Sequence, residues 1–262
     1  MRLDKFLSNN TSASRSEVRR LVKAEAVRVN GVLVKDAATP VEDSDRVELK
    51  DMPVVPVGRQ YFMLHKPAGT ICANQDGSYP TVLDLLAQPA NAVTNRDADD
   101  SARPDSTERR PLIARLDELQ IAGRLDLDTT GLVLITNDGQ WNHRVTSPGS
   151  KCKKVYLVSL AQPFDQNTEQ AFHTGIQLDG EKKPTLPACI EQLDSHQVRL
   201  TIQEGKYHQV KRMFAATGNH VTALHRIAIG RIALDPALQP GQFRFLTEDE
   251  IASVGLNRGD SL

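Results

Sequence analysis

The sequence predicts an α+β protein, with a small N-terminal unit followed by a larger unit built on a substantial, mainly antiparallel sheet. Three observations predict it. A capped amphipathic helix and a hairpin signal open the chain. A linker marked by Pro53, Pro56 and Gly58 follows. Beyond it, short apolar runs alternate with turn signals and one helix-like stretch.

The 262 residues accommodate two modest domains, expected at 1–57 and 60–262. Lys and Arg number 32 against 33 for Asp and Glu, a net charge of -1. A uniformly basic nucleic-acid binder is excluded, but not one that concentrates its positive charge. No apolar run approaches the ~20 residues of a membrane span. The N-terminus lacks the apolar stretch of a secretion signal, so no membrane partner and a cytoplasmic setting are expected. The three cysteines form no CxxC pair, and the seven histidines show no ligand spacing. No disulfide framework, metal or cofactor is expected.

Each element has a local reason. Ser14 and Glu17 form a capping box, and Val18, Leu21 and Val22 continue it as one apolar stripe. Asn30-Gly31 between two valine-rich runs signals a hairpin. Tyr61 to Leu64 begins the second domain as a buried strand. Residues 88–110 carry almost no large apolar side chain and read as a mobile surface insertion. Strands are expected at Leu132–Ile135, ended by the turn signal Asn137-Asp138-Gly139, then at Val155–Val158 and Val198–Ile202. Tyr207, Val210, Met213 and Phe214 repeat at helical spacing, which predicts a helix over 207–217 stopped by Gly218. Strand character resumes over 221–234, and Thr247 with Glu250 caps a short final helix.

Four constellations carry potential chemistry. Arg2, Lys5, Arg15, Arg19, Arg20 and Lys23 give the N-terminal unit a basic surplus suited to a phosphate backbone; a solvated helix face reads the same. Gly123 to Leu132 sets Asp126 and Asp128 just before an apolar strand, on a rigid element. A strand-entry loop whose Asp and Thr serve local amides has the same pattern. Lys151, Lys153 and Lys154 lead into a strand bearing Tyr156, a mixture that suits phosphate contact and base stacking, or simply an exposed turn before a core tyrosine. His208, Lys211 and Arg212 stand at i, i+3 and i+4, on one face of the expected helix.

Together these segments resemble a known family. Met1 to Phe6, the Arg-rich helix and the Asn30-Gly31 hairpin look like an S4 RNA-binding domain, an αL fold. His65-Lys66-Pro67-Ala68-Gly69, the 123–132 segment, Lys154 to Val158 and Gly205 to Phe214 resemble the RsuA branch of the pseudouridine synthases. Trp141 to Pro148 strengthens the likeness, which spans nearly the whole chain and departs clearly only at 88–110.

The resemblance implies a cofactor-independent isomerase acting on a uridine of 16S rRNA, free or in a partly assembled small subunit; nothing in the sequence demands more than a monomer. It implies Asp126 as the catalytic carboxylate, Tyr156 as the active-site tyrosine and Lys211 as the basic partner. Such a carboxylate needs a nearby cation to stay ionised in a pocket that excludes water. Arg124, Lys151, Lys153, Lys154, His208, Arg212 and the N-terminal basic face are the implied RNA contacts. Asp117 repeats an Arg-Leu-Asp triplet but lacks the preceding glycine and the following Asp-Thr-Thr-Gly, so it is rejected. Rival readings are a synthase acting on 23S rRNA, a non-catalytic S4-type RNA-binding or assembly factor, and a nucleoside or glycoside hydrolase using Asp126 with Asp128.

Overall fold

A computed structural model describes residues 1–11, 13–42, 44–93 and 116–254. Most of the expected 88–110 insertion thus lies outside the described residues. Among those described, one compact unit comprises 1–60 with 116–119, and a second comprises 61–93 with 120–254.

The first unit contains α1 (Leu3–Asn10), α2 (Arg15–Lys23), β1 (Val27–Val29), β2 (Val32–Leu33), β3 (Val47–Leu49) and β4 (Met52–Pro53). Its four strands run β2-β1-β3-β4, all antiparallel. The capping box forms as the sequence predicts: the Ser14 amide donates to Glu17 at 2.7 Å, and the Glu17 amide donates to Ser14 Oγ at 3.3 Å. Asn30 (φ 52°) and Gly31 (φ 78°) both take the left-handed conformation that a two-residue turn needs to match strand twist. Leu3, Phe6 and Leu7 of α1 join Val18, Val22, Val27, Val41 and Val47 in one small core. Pro53 belongs to strand β4, not to the linker; β4 is an edge strand, where the missing N–H costs no ladder bond.

The second unit contains β5 (Tyr61–Lys66), α3 (Val82–Leu86), β6 (Gln120–Ala122), β7 (Thr130–Thr136), α4 (Gly139–Thr146), β8 (Lys154–Leu160) and α5 (Glu169–Thr174). It continues with β9 (Cys189–Gln192), β10 (Gln197–Ile202), α6 (Gln209–Ala216), β11 (Val221–Ile229), β12 (Ile232–Ala233), β13 (Phe243–Phe245) and α7 (Glu248–Ala252). The sheet order is β13-β5-β7-β11-β8-β10-β9, with β6 beside β7 and β12 beside β11. Among the strands of the described residues, β7 and β11 pair in parallel and the other pairs of this sheet are antiparallel. That parallel seam sits mid-sheet, and at it Gly131 pairs with Arg226. Gly131 has φ 107°, and a Cβ there would lie 2.3 Å from the Arg226 carbonyl oxygen, so only glycine allows this approach.

Two local readings are corrected. Asn137-Asp138-Gly139 does not merely end a strand. Asp138 caps α4, its Oδ1 accepting the Gln140 and Trp141 amides at 3.0 and 3.1 Å. Helix α6 starts at Gln209, two residues after Tyr207; His208, at its N-cap, is left-handed (φ 46°, ψ 38°) and turns Tyr207 off the apolar stripe. Gly218 (φ 82°) follows the helix as the sequence predicts. Among the described residues no helix is long and apolar enough to cross a membrane.

Candidate active site

A cavity of about 750 Å³ opens in the second unit, and Asp126, Tyr156, His208, Arg124 and Arg226 are among its lining residues. The segment that carries Asp126 is a loop between β6 and β7, and its backbone is fastened on both sides. Before Asp126, the Arg226 guanidinium donates to the carbonyls of Gly123 (2.7 Å) and Arg124 (3.4 Å), and to Leu132 in β7 (2.8 Å). After it, Lys66 Nζ donates to the carbonyls of Leu127 (3.2 Å) and Thr129 (2.7 Å). The Gly69 amide donates to the Leu127 carbonyl at 2.9 Å, and the Leu125 amide donates to Cys72 Sγ at 3.3 Å. A carboxylate on a loop so clamped keeps one position without spending binding energy to find it.

The Asp126 side chain faces two nitrogen-bearing groups from the start of α6, the Lys211 ammonium and the His208 imidazole. Lys211 Nζ lies 3.2 Å from its Oδ2, and His208 Nε2 lies 3.5 Å from its Oδ1. Lys211 also bonds Asp128 at 2.6 Å. Burial pulls the Lys211 ammonium down, but hydrogen bonds and attraction to Asp128 and Asp126 outweigh it, so its pKa stands above the ordinary lysine value. The hydrogen bond from Lys211 holds the Asp128 carboxyl below the usual range. Asp128 is mostly exposed (73%) and Asp126 is not (26%), and of the two carboxylates it is Asp126 that lines the cavity.

Tyr156 forms part of the wall. Strand β8 alternates, so Lys154, Tyr156, Val158 and Leu160 share its buried face. Tyr156 stands opposite Arg226 in the β8–β11 register, with the guanidinium carbon 6.0 Å from the ring centre. That is the outer limit of a cation–π contact.

The same alternation corrects the expectation for Lys154. It is 8% exposed, its Nζ reaches the Val145 carbonyl at the end of α4 (3.5 Å), and burial lowers its pKa. It is a buried wall residue, not an outward phosphate contact, whereas Lys151 and Lys153 are exposed. Arg212 is corrected too. It does not share a free face with Lys211; it bonds Glu181 (3.3 Å), the Tyr207 carbonyl (3.0 Å) and the Asp179 carbonyl. In the N-terminal unit Arg2 pairs with Asp4 at 2.7 Å, Arg19 approaches the same carboxylate at 3.8 Å, and Lys5, Arg15, Arg20 and Lys23 are exposed.

A family model described as RNA pseudouridylate synthase matches residues 60–216, and one described as S4 domain matches residues 1–47. The chain belongs to the RNA pseudouridylate synthase family. This synthase is similar to the ribosomal small subunit pseudouridine synthase A of Haemophilus influenzae, with 44% identity covering 97% of this chain and 99% of that protein. It is 46% identical to the protein of the same name from Escherichia coli, covering 97% of this chain and 100% of the relative. A solved structure titled as a pseudouridylate synthase is 43% identical, covers 97% of this chain and 99% of its own, and superposes with a TM-score of 0.63. The α+β class, the S4 domain and the enzyme class read from the sequence therefore stand.

Sequence reasoning gave no role to Lys66 or Arg226, the two clamps of the synthase's Asp126 loop. Lys66 closes the run Tyr61–Lys66 between His65 and Pro67, and Arg226 sits within Val221–Ile229 beside His225; a charged residue in a strand that is mostly buried is the available signal.

Proposed function

We propose that the protein converts a uridine of 16S rRNA in the small ribosomal subunit to pseudouridine, with Asp126 as the residue that starts the reaction. The observation that carries this is the setting of Asp126: a carboxylate in a cavity, on a doubly clamped loop, paired with Lys211 and beside His208. The names of the similar proteins favour the small-subunit RNA.

The reaction breaks the N1–C1′ bond, turns the uracil, joins C5 to C1′ and removes the hydrogen from C5. The target base first leaves the RNA stack. Asp126 then either attacks C1′ or takes a proton from the neighbouring ribose carbon; both routes need it ionised, and Lys211 supplies the opposing charge. Tyr156 offers a ring against which the detached uracil is held while it rotates. Residues 60–262 carry this chemistry in our reading, and 1–57 capture RNA through Lys5, Arg15, Arg19, Arg20 and Lys23.

The test is tritium release from rRNA labelled at uridine C5, for wild type and Asp126→Asn, on 16S and 23S substrates with and without ribosomal proteins. Wild type releases tritium from the 16S substrate with uracil still attached, and Asp126→Asn falls by more than about 10³-fold while still binding RNA. Release from 23S alone moves the substrate to the large subunit. Free uracil indicates hydrolysis, and no release with intact RNA binding indicates an assembly factor.

A further inference from the structure

Tyr207 is the most exposed of the large apolar and aromatic side chains among the described residues, at 75%, and it lies on the wall of the cavity that contains Asp126. A ring left in water beside a catalytic cavity has no packing role there. Three further observations bear on it. It is stacked on His208, with ring centres 3.8 Å apart and planes 19° apart. Stacking between sequence neighbours requires an unusual backbone, and His208 supplies it by taking the left-handed conformation, which L-residues adopt at an energetic cost. Finally, the Tyr207 backbone is tied down. Arg212 donates to its carbonyl, Lys206 donates its amide to Gln209 Oε1 at 2.9 Å, and both Lys206 and Arg212 pair with Glu181. Here Arg212, which does not present itself to phosphate, has a positioning role.

The arrangement is a flat π surface backed on one face, held rigid, open to water, and connected through His208 to the carboxylate of Asp126. Rigid aromatic surfaces of this kind recognise unstacked nucleobases, because every base has a π face to offer. A uridine seated at Asp126 has left its stack, so a neighbouring nucleotide has lost a stacking partner.

We propose that Tyr207, backed by His208, is a stacking platform for an unpaired RNA base that flanks the uridine held at Asp126. It rests on the reading of the cavity as a site for RNA uridine. Tyr207 then replaces the stacking that the flanking base loses when the target is extruded.

The experiment uses the full chain and the 16S rRNA fragment that it modifies, with 2-aminopurine placed in turn at each nucleotide flanking the target. Binding to wild type and to Tyr207→Phe quenches the probe at one flanking position, and Tyr207→Ala leaves it bright. Tyr207→Ala raises KM by roughly 5- to 100-fold, more than it lowers kcat, and Tyr207→Phe restores KM. Retained quenching or an unchanged KM in Tyr207→Ala overturns the platform, as does a Phe variant as weak as Ala. If wild type forms pseudouridine while Tyr207→Ala matches it, only the platform falls. If wild type forms none on any RNA, the reading of the site itself falls.

Discussion

The two units of this synthase treat positive charge in opposite ways. In the N-terminal unit Arg15, Arg20 and Lys23 stand in water on the outer side of a short helix whose other side packs Val18 and Val22 into a small core. In the second unit Lys66 is 0% exposed and Arg226 is 1% exposed. Neither has a carboxylate in an ion pair among the described residues; both are satisfied by backbone carbonyls instead. A cation in water is available to a mobile phosphate chain, and its contacts weaken with salt. A cation under protein is spoken for, and what it does is fix backbone. The second unit thereby turns charge into loop geometry, and the carbonyls it fixes flank Asp126.

The sharpest way to break this comparison is one substitution made in both units. Arg226→Met leaves three carbonyls without their donor, and stability to urea should fall by about 3 kcal/mol. Tritium release should fall with it even where the variant is folded, because the Asp126 loop is released. Arg226→Met without a shift in the urea midpoint would mean that the clamp is dispensable.

Lys211 lies between the two extremes, half-buried and paired with both carboxylates. Lys211→Met should lower turnover by roughly 10²-fold while RNA affinity changes far less, as expected of a residue acting mainly after binding. Its raised pKa has a defined sign. The stabilisation from the charged form is fully present below the ordinary lysine value and is lost only as pH rises through the higher folded value. Wild-type turnover should therefore stay level from about pH 8 to about pH 10 in short incubations. A decline starting near the lower end would assign the alkaline limb to another group.

The smallest effect belongs to the exposed charges. Arg20→Met should leave the urea midpoint within about 0.5 kcal/mol of wild type. RNA affinity should drop a few-fold, and the slope of log affinity against log salt should become shallower by about 0.7 to 0.9. Unchanged slope would remove Arg20 from the RNA surface without touching the catalytic unit.

Much of the fold was legible because its signals are local. Ser14 with Glu17, Asn30-Gly31, Thr247 with Glu250 and Gly218 each act on backbone within a few residues, and all four act as the sequence says. The sequence does not reveal helix α4, because Asp138 is both a turn residue and a helix cap; in the fold its other oxygen accepts from the Tyr61 hydroxyl at 2.9 Å, a contact across tens of residues that periodicity does not show. The spacing of Tyr207 fits the apolar stripe and predicts a helical position, because the left-handed turn at His208 is invisible to periodicity.

The sequence by itself determined the α+β class, the S4-like beginning, and the motifs that carry Asp126, Tyr156 and Lys211, since each is a short pattern of residue types. Only the tertiary structure decided which cations face water and which hold the loop. Lys153 and Lys154 are neighbours of one kind, yet Lys153 stands exposed just before β8 while Lys154, the first residue of that strand, is buried in the wall. Lys66 and Arg226 reach the Asp126 loop from β5 and β11, tens of residues away in sequence, through a register that pairs Gly131 with Arg226. Such contacts depend on which strands become neighbours, and that choice is made by the burial of the whole sheet, not by any local run of residues.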